Sequence, residues 1–401
     1  MEVKIEKLDN FGRGITYLNN KICFVENAYP EEIVEIEIVK ENKKIIEAKT
    51  IKVITKSNNR VESKCPYSNI CGGCNFSNLK YEEELIYKTE KVKDLISKYT
   101  GLTNIVEDTN YINEYNYRNK IILHGKNNKL GLYEENTNNI VEINECLLVN
   151  NKINEIIKIL KEENISIEEA LIKTSNDEKE VLVSIKGKIN NIDKLKDKCT
   201  VLIINDELKT TNSSIITNIG KYKFYESEKS FFQINKDLTE KLYDEALKIV
   251  EKVKPNKLLD LYCGTGTIGI YVSEFSNEII GIDYNKSNIE DANKNKELNN
   301  LNNISFICDK VENQIDNFKD IDMIIVDPPR KGLDQKTKEY LNTIKAKHLV
   351  YISCDLITFS RDINDLLKNY EVEYIKPFNM FPKTYHVENV AYLKLKNTKI
   401  L

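Results

Sequence analysis

His348-Leu-Val-Tyr-Ile-Ser-Cys-Asp355 is an apolar run that ends in a thiol and an acid. Its length and its Leu, Val, Tyr and Ile residues predict a strand with Cys354 at its carboxyl end. Four runs upstream share the pattern: residues 257–263, 278–283, 304–309 and 323–327 are short, apolar, and end in Asp or in a glycine loop. Helix-length stretches separate them, which predicts a parallel α/β sheet. Ligands of such sheets bind beyond the carboxyl ends of the strands. One edge is therefore expected to gather a thiol, three carboxylates and a glycine loop, an active site with a nucleophile in it. The ending is unlike a nucleotide-binding dehydrogenase. Residues 370–378 and 390–396 form two runs joined by a loop with no helix, so the seventh strand is expected to be antiparallel. That ending suits an S-adenosylmethionine methyltransferase.

Outward from this core the chain changes character. Residues 3–8, 21–25, 33–39 and 45–54 are β-rich and broken by turn residues, which predicts a small five-stranded barrel over residues 1–56. A cysteine-rich segment, residues 65–74, comes next. A helix over 81–99 follows, with Leu85, Val92, Leu95 and Ile96 as its apolar stripe. Residues 110–230 mix strands (120–124, 180–186, 199–205) with one helix, 152–163. At 401 residues two or three domains are expected. No run of about 18 apolar residues exists, so no membrane span is expected, and the alternating amino terminus is not a signal peptide. A cytoplasmic monomer is the expectation. Nine cysteines in such a chain argue for metal or catalysis rather than disulfides. The net charge of −4 does not itself point to a nucleic-acid partner.

The loop Asp260-Leu-Tyr-Cys-Gly-Thr-Gly-Thr-Ile-Gly269 carries a G-x-G-x-x-G spacing that fits a dinucleotide as well as S-adenosylmethionine. Asp283 can take ribose hydroxyls in either case. Asp327-Pro-Pro-Arg-Lys-Gly332 puts S-adenosylmethionine ahead of a nicotinamide cofactor, because a carboxylate before two rigid prolines makes a stiff lip of the kind found in methyltransferases that act on bases. Cys354 is read as a working thiolate whose pKa would be lowered by a nearby cation, Arg330 or Arg361. The loop Phe381-Pro-Lys-Thr-Tyr-His-Val-Glu388 offers Thr384, His386 and Glu388, with Glu388 as the general base. A thiol, a base and a methyl donor suit one chemistry. Uracil C5 is a weak nucleophile until a thiolate adds to C6; after methylation a base removes the C5 proton and the thiol leaves. Cys65-x5-Cys71-x2-Cys74, wrapped around Gly72 and Gly73, has metal-centre spacing, with Cys146 as the best fourth ligand. Four thiolates suit zinc and iron–sulfur alike. Cys23, Cys199, Cys263 and Cys308 are read as packing residues.

Phe231-Phe-Gln-Ile-Asn235, Asp260-Leu-Tyr-Cys-Gly-Thr-Gly266, Asp327-Pro-Pro-Arg-Lys-Gly332, Ser353-Cys-Asp355 and Pro382-x-Thr-x-His-Val-Glu388 occur in one order and at one spacing. In this the chain resembles the RNA 5-methyluridine methyltransferases, most of all the iron–sulfur-containing members that act on 23S ribosomal RNA. The resemblance implies a Rossmann-like S-adenosylmethionine methyltransferase domain, an N-terminal TRAM (OB-like) RNA-binding barrel, and a central α+β domain carrying the cysteine cluster. It implies boundaries of 1–56, of 57–76 with 110–230, and of 77–109 with 231–401. It implies Cys354 as nucleophile and Glu388 as base, with Gln233, Tyr262, Thr267, Asp283, Asp309 and Asp327 lining the S-adenosylmethionine site. It also implies a [4Fe-4S] cluster on Cys65, Cys71, Cys74 and Cys146. The implied partner is RNA, ribosomal ahead of transfer, presented as a base out of its stack. An idle RNA-binding protein of the same fold and a redox enzyme using the cluster and a nicotinamide are the competing readings. Two positions depart from the family: Leu356 replaces the usual proline after the nucleophile, and Pro30-Glu31-Glu32 replaces Pro-Gly-Glu.

Overall fold

The computed structural model describes residues 1–68 and 70–396. Its C-terminal half is a seven-stranded sheet in the order Ile304–Cys308, Glu278–Asp283, Lys257–Leu261, Met323–Val326, His348–Ser353, Glu388–Leu395, Tyr370–Phe378. The first five are parallel, and Glu388–Leu395 runs antiparallel between His348–Ser353 and Tyr370–Phe378. Successive residues in the central strands are buried to both sides, as a covered parallel sheet requires. Leu259, Ile324, Leu349 and Tyr351 pack on one face with Val92, Leu95 and Ile96 of the helix Tyr81–Thr100. Leu258, Met323, Ile325, Val350 and Ile352 pack on the other with Leu242, Ala246 and Ile249 of the helix Thr239–Val253. The helix Tyr81–Thr100, far upstream in sequence, thus belongs to this sheet's core. The chain after it stays there, bridging Val106 to Ile375 and Asn110 to Phe378.

The N-terminal strands form one sheet in the order Glu2–Lys4, Ile33–Glu41, Ile45–Thr55, Lys21–Glu26, Gly14–Leu18, Lys7–Leu8. Residues 3–8, expected as one strand, are two pieces that end opposite edges of this sheet. Ile5 N–H donates to Glu32 O and Glu6 N–H to Ile15 O, so the chain hands over from one edge to the other between them. Between these domains seven strands, Glu207–Leu208 through Ile140–Glu142, form a sheet covered by the helix Asn151–Glu162, whose start Asn150 caps by accepting from Ile153 N–H. The strand Asn164–Thr174 at its centre has no counterpart in the sequence reading, and the strands expected at 180–186 and 199–205 are Val181–Ile189 and Val201–Ile204. Among the described residues no helix is long and apolar enough to cross a membrane.

Candidate active site

Register alone brings the two principal side chains together. Ser353 pairs with Asn389 in the antiparallel ladder, so Cys354 and Glu388, one residue further on each strand, stand side by side at the sheet edge. Ser353 hydroxyl accepts from Asp355 N–H, and Asp355 in turn caps the helix Leu356–Leu366 by accepting from Thr358 N–H at 2.9 Å. The thiol is thereby held on a turn fixed at both ends. Glu388 is only 2% exposed, not the surface carboxylate that its loop position allows.

The remaining predicted residues mark the ends of the other strands. Asp327 N–H donates to Leu261 O, placing it beside Tyr262. Asp283 takes Gly264 N–H at 3.1 Å and Asn285 N–H at 2.8 Å, which ties the glycine loop to the second strand. Asp309 N–H donates to Asp283 O, while the Asp309 carboxylate is taken up by Asn313 and Gln314. Tyr262, at φ 64°, turns its hydroxyl to Asp334. Thr267 shares a hydrogen bond with Tyr243 at 3.1 Å, and Gln233 is buried, its carbonyl held by Asn119. Gly264 stands at φ 55° with open space where a Cβ would be, whereas a Cβ on Gly266 would strike the Phe306 ring. Thr265 Oγ1 and Asp260 Oδ1 are buried without partners among the described residues. This edge is a glycine cradle with unspent polar groups.

Electrostatics overturn one expectation. The thiol of Cys354 is not lowered but pushed up to about 12, first by burial and then by Glu388 and Asp327; Arg330, which donates to it, pulls the other way. Burial and Asp327 hold Glu388 well above the usual carboxylate range, and burial lifts Asp327 to about 7. Arg361 is no part of this group: it pairs with Asp362 and donates to Lys331 O. Cys308 is exposed rather than packed, because its strand lies at the sheet's edge.

A cavity of about 230 Å³ opens beside Cys354. Helix residues Lys91 and Leu95, loop residues Tyr385 and His386, and Asn10 and Phe11 of the N-terminal domain line it with Arg330. The Asn10–Phe11 turn is braced by Asp9, which accepts from Arg13 and whose carbonyl accepts from the Tyr87 hydroxyl. Sequence reasoning missed Asn10, Phe11 and Lys91, since only the packing of distant segments makes them neighbours of the thiol. Burial lowers Lys91 to about 7 and His386 to about 4, so the imidazole is neutral.

The four cysteines Cys65, Cys71, Cys74 and Cys146 border a second cavity, of about 750 Å³. Among the described residues no group of three or more His, Cys, Asp or Glu is close enough to hold a single metal ion. Burial, then the neighbouring thiols, lift Cys74 to about 12, and burial first also raises Cys71 and Cys146. Arg118, whose Nε is buried without a partner, borders the same cavity.

The sequence pattern of the tRNA (uracil-5-)-methyltransferase family matches residues 166–396, and that of the TRAM domain matches residues 1–51. The chain belongs to the tRNA (uracil-5-)-methyltransferase family. Like it are an uncharacterized RNA methyltransferase of Clostridium acetobutylicum, 33% identical over 98% of this chain and 96% of that one, and one of Staphylococcus aureus, 32% identical over 97% and 96%. The Pyrococcus abyssi tRNA (uracil-54, C5)-methyltransferase, solved with S-adenosyl-L-homocysteine, shares the architecture with a TM-score of 0.81 and 26% identity, over 98% of this chain and 100% of that one. In this member of the family the two matched patterns leave residues 52–165 between them, which include Cys65, Cys71, Cys74 and Cys146.

Proposed function

We propose that this chain transfers a methyl group from S-adenosylmethionine to C5 of a uridine in RNA, with Cys354 as nucleophile and Glu388 as base. The juxtaposition of Cys354 and Glu388, both one residue beyond the Ser353–Asn389 pair at the sheet edge, carries the proposal. The glycine cradle fits S-adenosylmethionine, with Gln233, Tyr262, Thr267, Asp283, Asp309 and Asp327 as the residues that would hold it. When bound, it supplies an electrophilic methyl group and a positive charge that favours ionised neighbours. Cys354, as thiolate, adds to uracil C6 and makes C5 nucleophilic. Arg330 stabilises that thiolate. Once C5 carries the methyl group, Glu388 takes the C5 proton, and the electron pair expels the Cys354 sulfur. Burial makes Glu388 a stronger base than an exposed carboxylate. The cavity beside Cys354 suits a base taken out of its stack.

The donor set also fits a [4Fe-4S] cluster on Cys65, Cys71, Cys74 and Cys146. Burial and the neighbouring thiols raise Cys71, Cys74 and Cys146, and thiols so placed ionise together most readily around a positive centre. The space they border exceeds that of one ion, and Arg118, whose Nε has no partner among the described residues, borders it as well. No redox step enters the methyl transfer, so the cluster's role is structural or in RNA contact. We further assign residues 57–76 with 110–230 to the cluster domain and 77–109 with 231–401 to the methyltransferase domain, supported by the packing of Tyr81–Thr100 on the catalytic sheet.

Ribosomal RNA is the favoured substrate, because the cysteine set is that of the iron–sulfur members. Transfer RNA is the second reading, favoured by the structural likeness to the Pyrococcus abyssi enzyme. Protein purified without oxygen, given methyl-labelled S-adenosylmethionine and unmodified ribosomal or transfer RNA, separates them. Label in 5-methyluridine from ribosomal RNA is the expected result. Label in 5-methyluridine from transfer RNA alone would overturn the substrate, and label in another nucleoside would overturn the reaction.

A further inference from the structure

The loop that presents Glu388 is fastened by groups that the chemistry above does not use. Glu84 and Lys88 lie one turn apart on Tyr81–Thr100, and their side chains, both fully buried, pair at 2.8 Å. Lys88 Nζ also donates to Asn379 Oδ1 at 2.5 Å and to Phe381 O at 3.1 Å. Glu84 accepts from Asn379 Nδ2 at 3.1 Å and from Lys383 N–H at 3.0 Å and 3.1 Å, one distance to each oxygen. From the other side Asn75 and Phe76 N–H donate to Lys383 O, and the Tyr117 hydroxyl donates to Pro382 O at 3.1 Å. Lys383 itself sits at φ 66°, a left-handed conformation that costs a lysine about 1–2 kcal/mol.

A buried ion pair adds little stability over an apolar pair of like volume, since desolvation offsets its attraction. What it does supply here is direction. The carboxylate and the ammonium take up backbone groups of Phe381 and Lys383 that no apolar side chain could hold. We propose that Glu84 and Lys88 are positioning residues, clamping residues 379–383 so that Glu388 meets the C5 proton of the substrate bound to Cys354. The proposal rests on the uracil-C5 reading.

The clamp has a signature that general stability lacks. A misplaced base leaves addition and methylation possible but delays proton removal, so the covalent protein–RNA complex should accumulate on ordinary RNA. Glu84→Leu combined with Lys88→Met removes both charges together and leaves neither buried alone. A displacement of about 1 Å is expected to slow turnover on the order of 100-fold. S-adenosylmethionine affinity should be unchanged, and a denaturant-stable complex should appear that the wild type does not build up. Tyr117→Phe removes one donor and no charge, so it gives the same signature in milder form if the double variant fails to fold. Wild-type turnover without accumulated complex overturns the clamp. So does lost turnover with no complex accumulating, which marks a merely structural role. A wild type that makes no 5-methyluridine overturns the reading beneath it, and the clamp with it.

Discussion

Burial acts in opposite senses on Cys354 and Glu388. Raising a thiol to about 12 silences it, while raising a carboxyl strengthens it as a base. The ligand-free protein should therefore react slowly with iodoacetamide at neutral pH, and its Cys354 alkylation should rise steeply only above the range of an ordinary thiol. A plateau reached by neutral pH would contradict this. Asp260 is pushed up to about 7 from 3.8, chiefly by burial. Between those values the folded state binds the proton that the unfolded chain has released, so its contribution favours folding at low pH and is lost as pH rises through about 7. Asp260→Asn should therefore flatten the fall in thermal midpoint between acid and neutral pH; an unaltered slope would count against this assignment. Cys354 was legible in the sequence as the end of a strand, whereas Glu388, expected in the loop 381–388, is the first residue of the strand Glu388–Leu395. The thiol's raised pKa was not legible, since burial, its first cause, and the nearness of Glu388 come from packing that a strand pattern does not show.

At the scale of the element, the two departures from the family pattern have local answers. Leu356 opens the helix Leu356–Leu366 as its first residue, buried at 5%, with Asp355 as cap. That first position is the one proline favours, so the capping bond and leucine burial hold the turn in its place. Asp355→Ala should lower stability by about 1 kcal/mol, with a slower Cys354 step, read from denaturant unfolding beside single-turnover rates. Glu31 stands at φ 73° and is exposed, so strain enters where the family has glycine. Glu31→Gly should stabilise by about 1 kcal/mol; a destabilised variant would refute the strain. The parallel strands were legible from their continuous apolar runs. Asn164–Thr174 was not, because Glu168, Glu169 and Ala170 favour helix and follow one directly. Pairing with Lys120–Lys126 on one side and Val181–Ile189 on the other overrides that preference.

Across the whole molecule, three stretches distant in sequence converge on one loop. The helix Tyr81–Thr100 grips it through Glu84 and Lys88, the cysteine segment through Asn75 and Phe76, and the N-terminal domain through the edge-on contact of Phe11 with Tyr385 at 5.5 Å. The cysteine spacing signalled a metal centre, but that Lys383 and Tyr385 border the same cavity as the four thiols could not be read from spacing. If the proposed cluster is held there, Cys74→Ser should reduce bound iron and lower the thermal midpoint without changing S-adenosylmethionine affinity; iron content equal to wild type would remove Cys74 from the proposed ligand set. The central claim is tested most directly with RNA carrying 5-fluorouridine, in which fluorine at C5 leaves no proton for a base to take. Incubated with this RNA and S-adenosylmethionine, the protein is expected to form one denaturant-stable complex, with the nucleotide on the peptide containing Cys354. A complex through another residue, or none while ordinary RNA is methylated, would contradict covalent catalysis by Cys354.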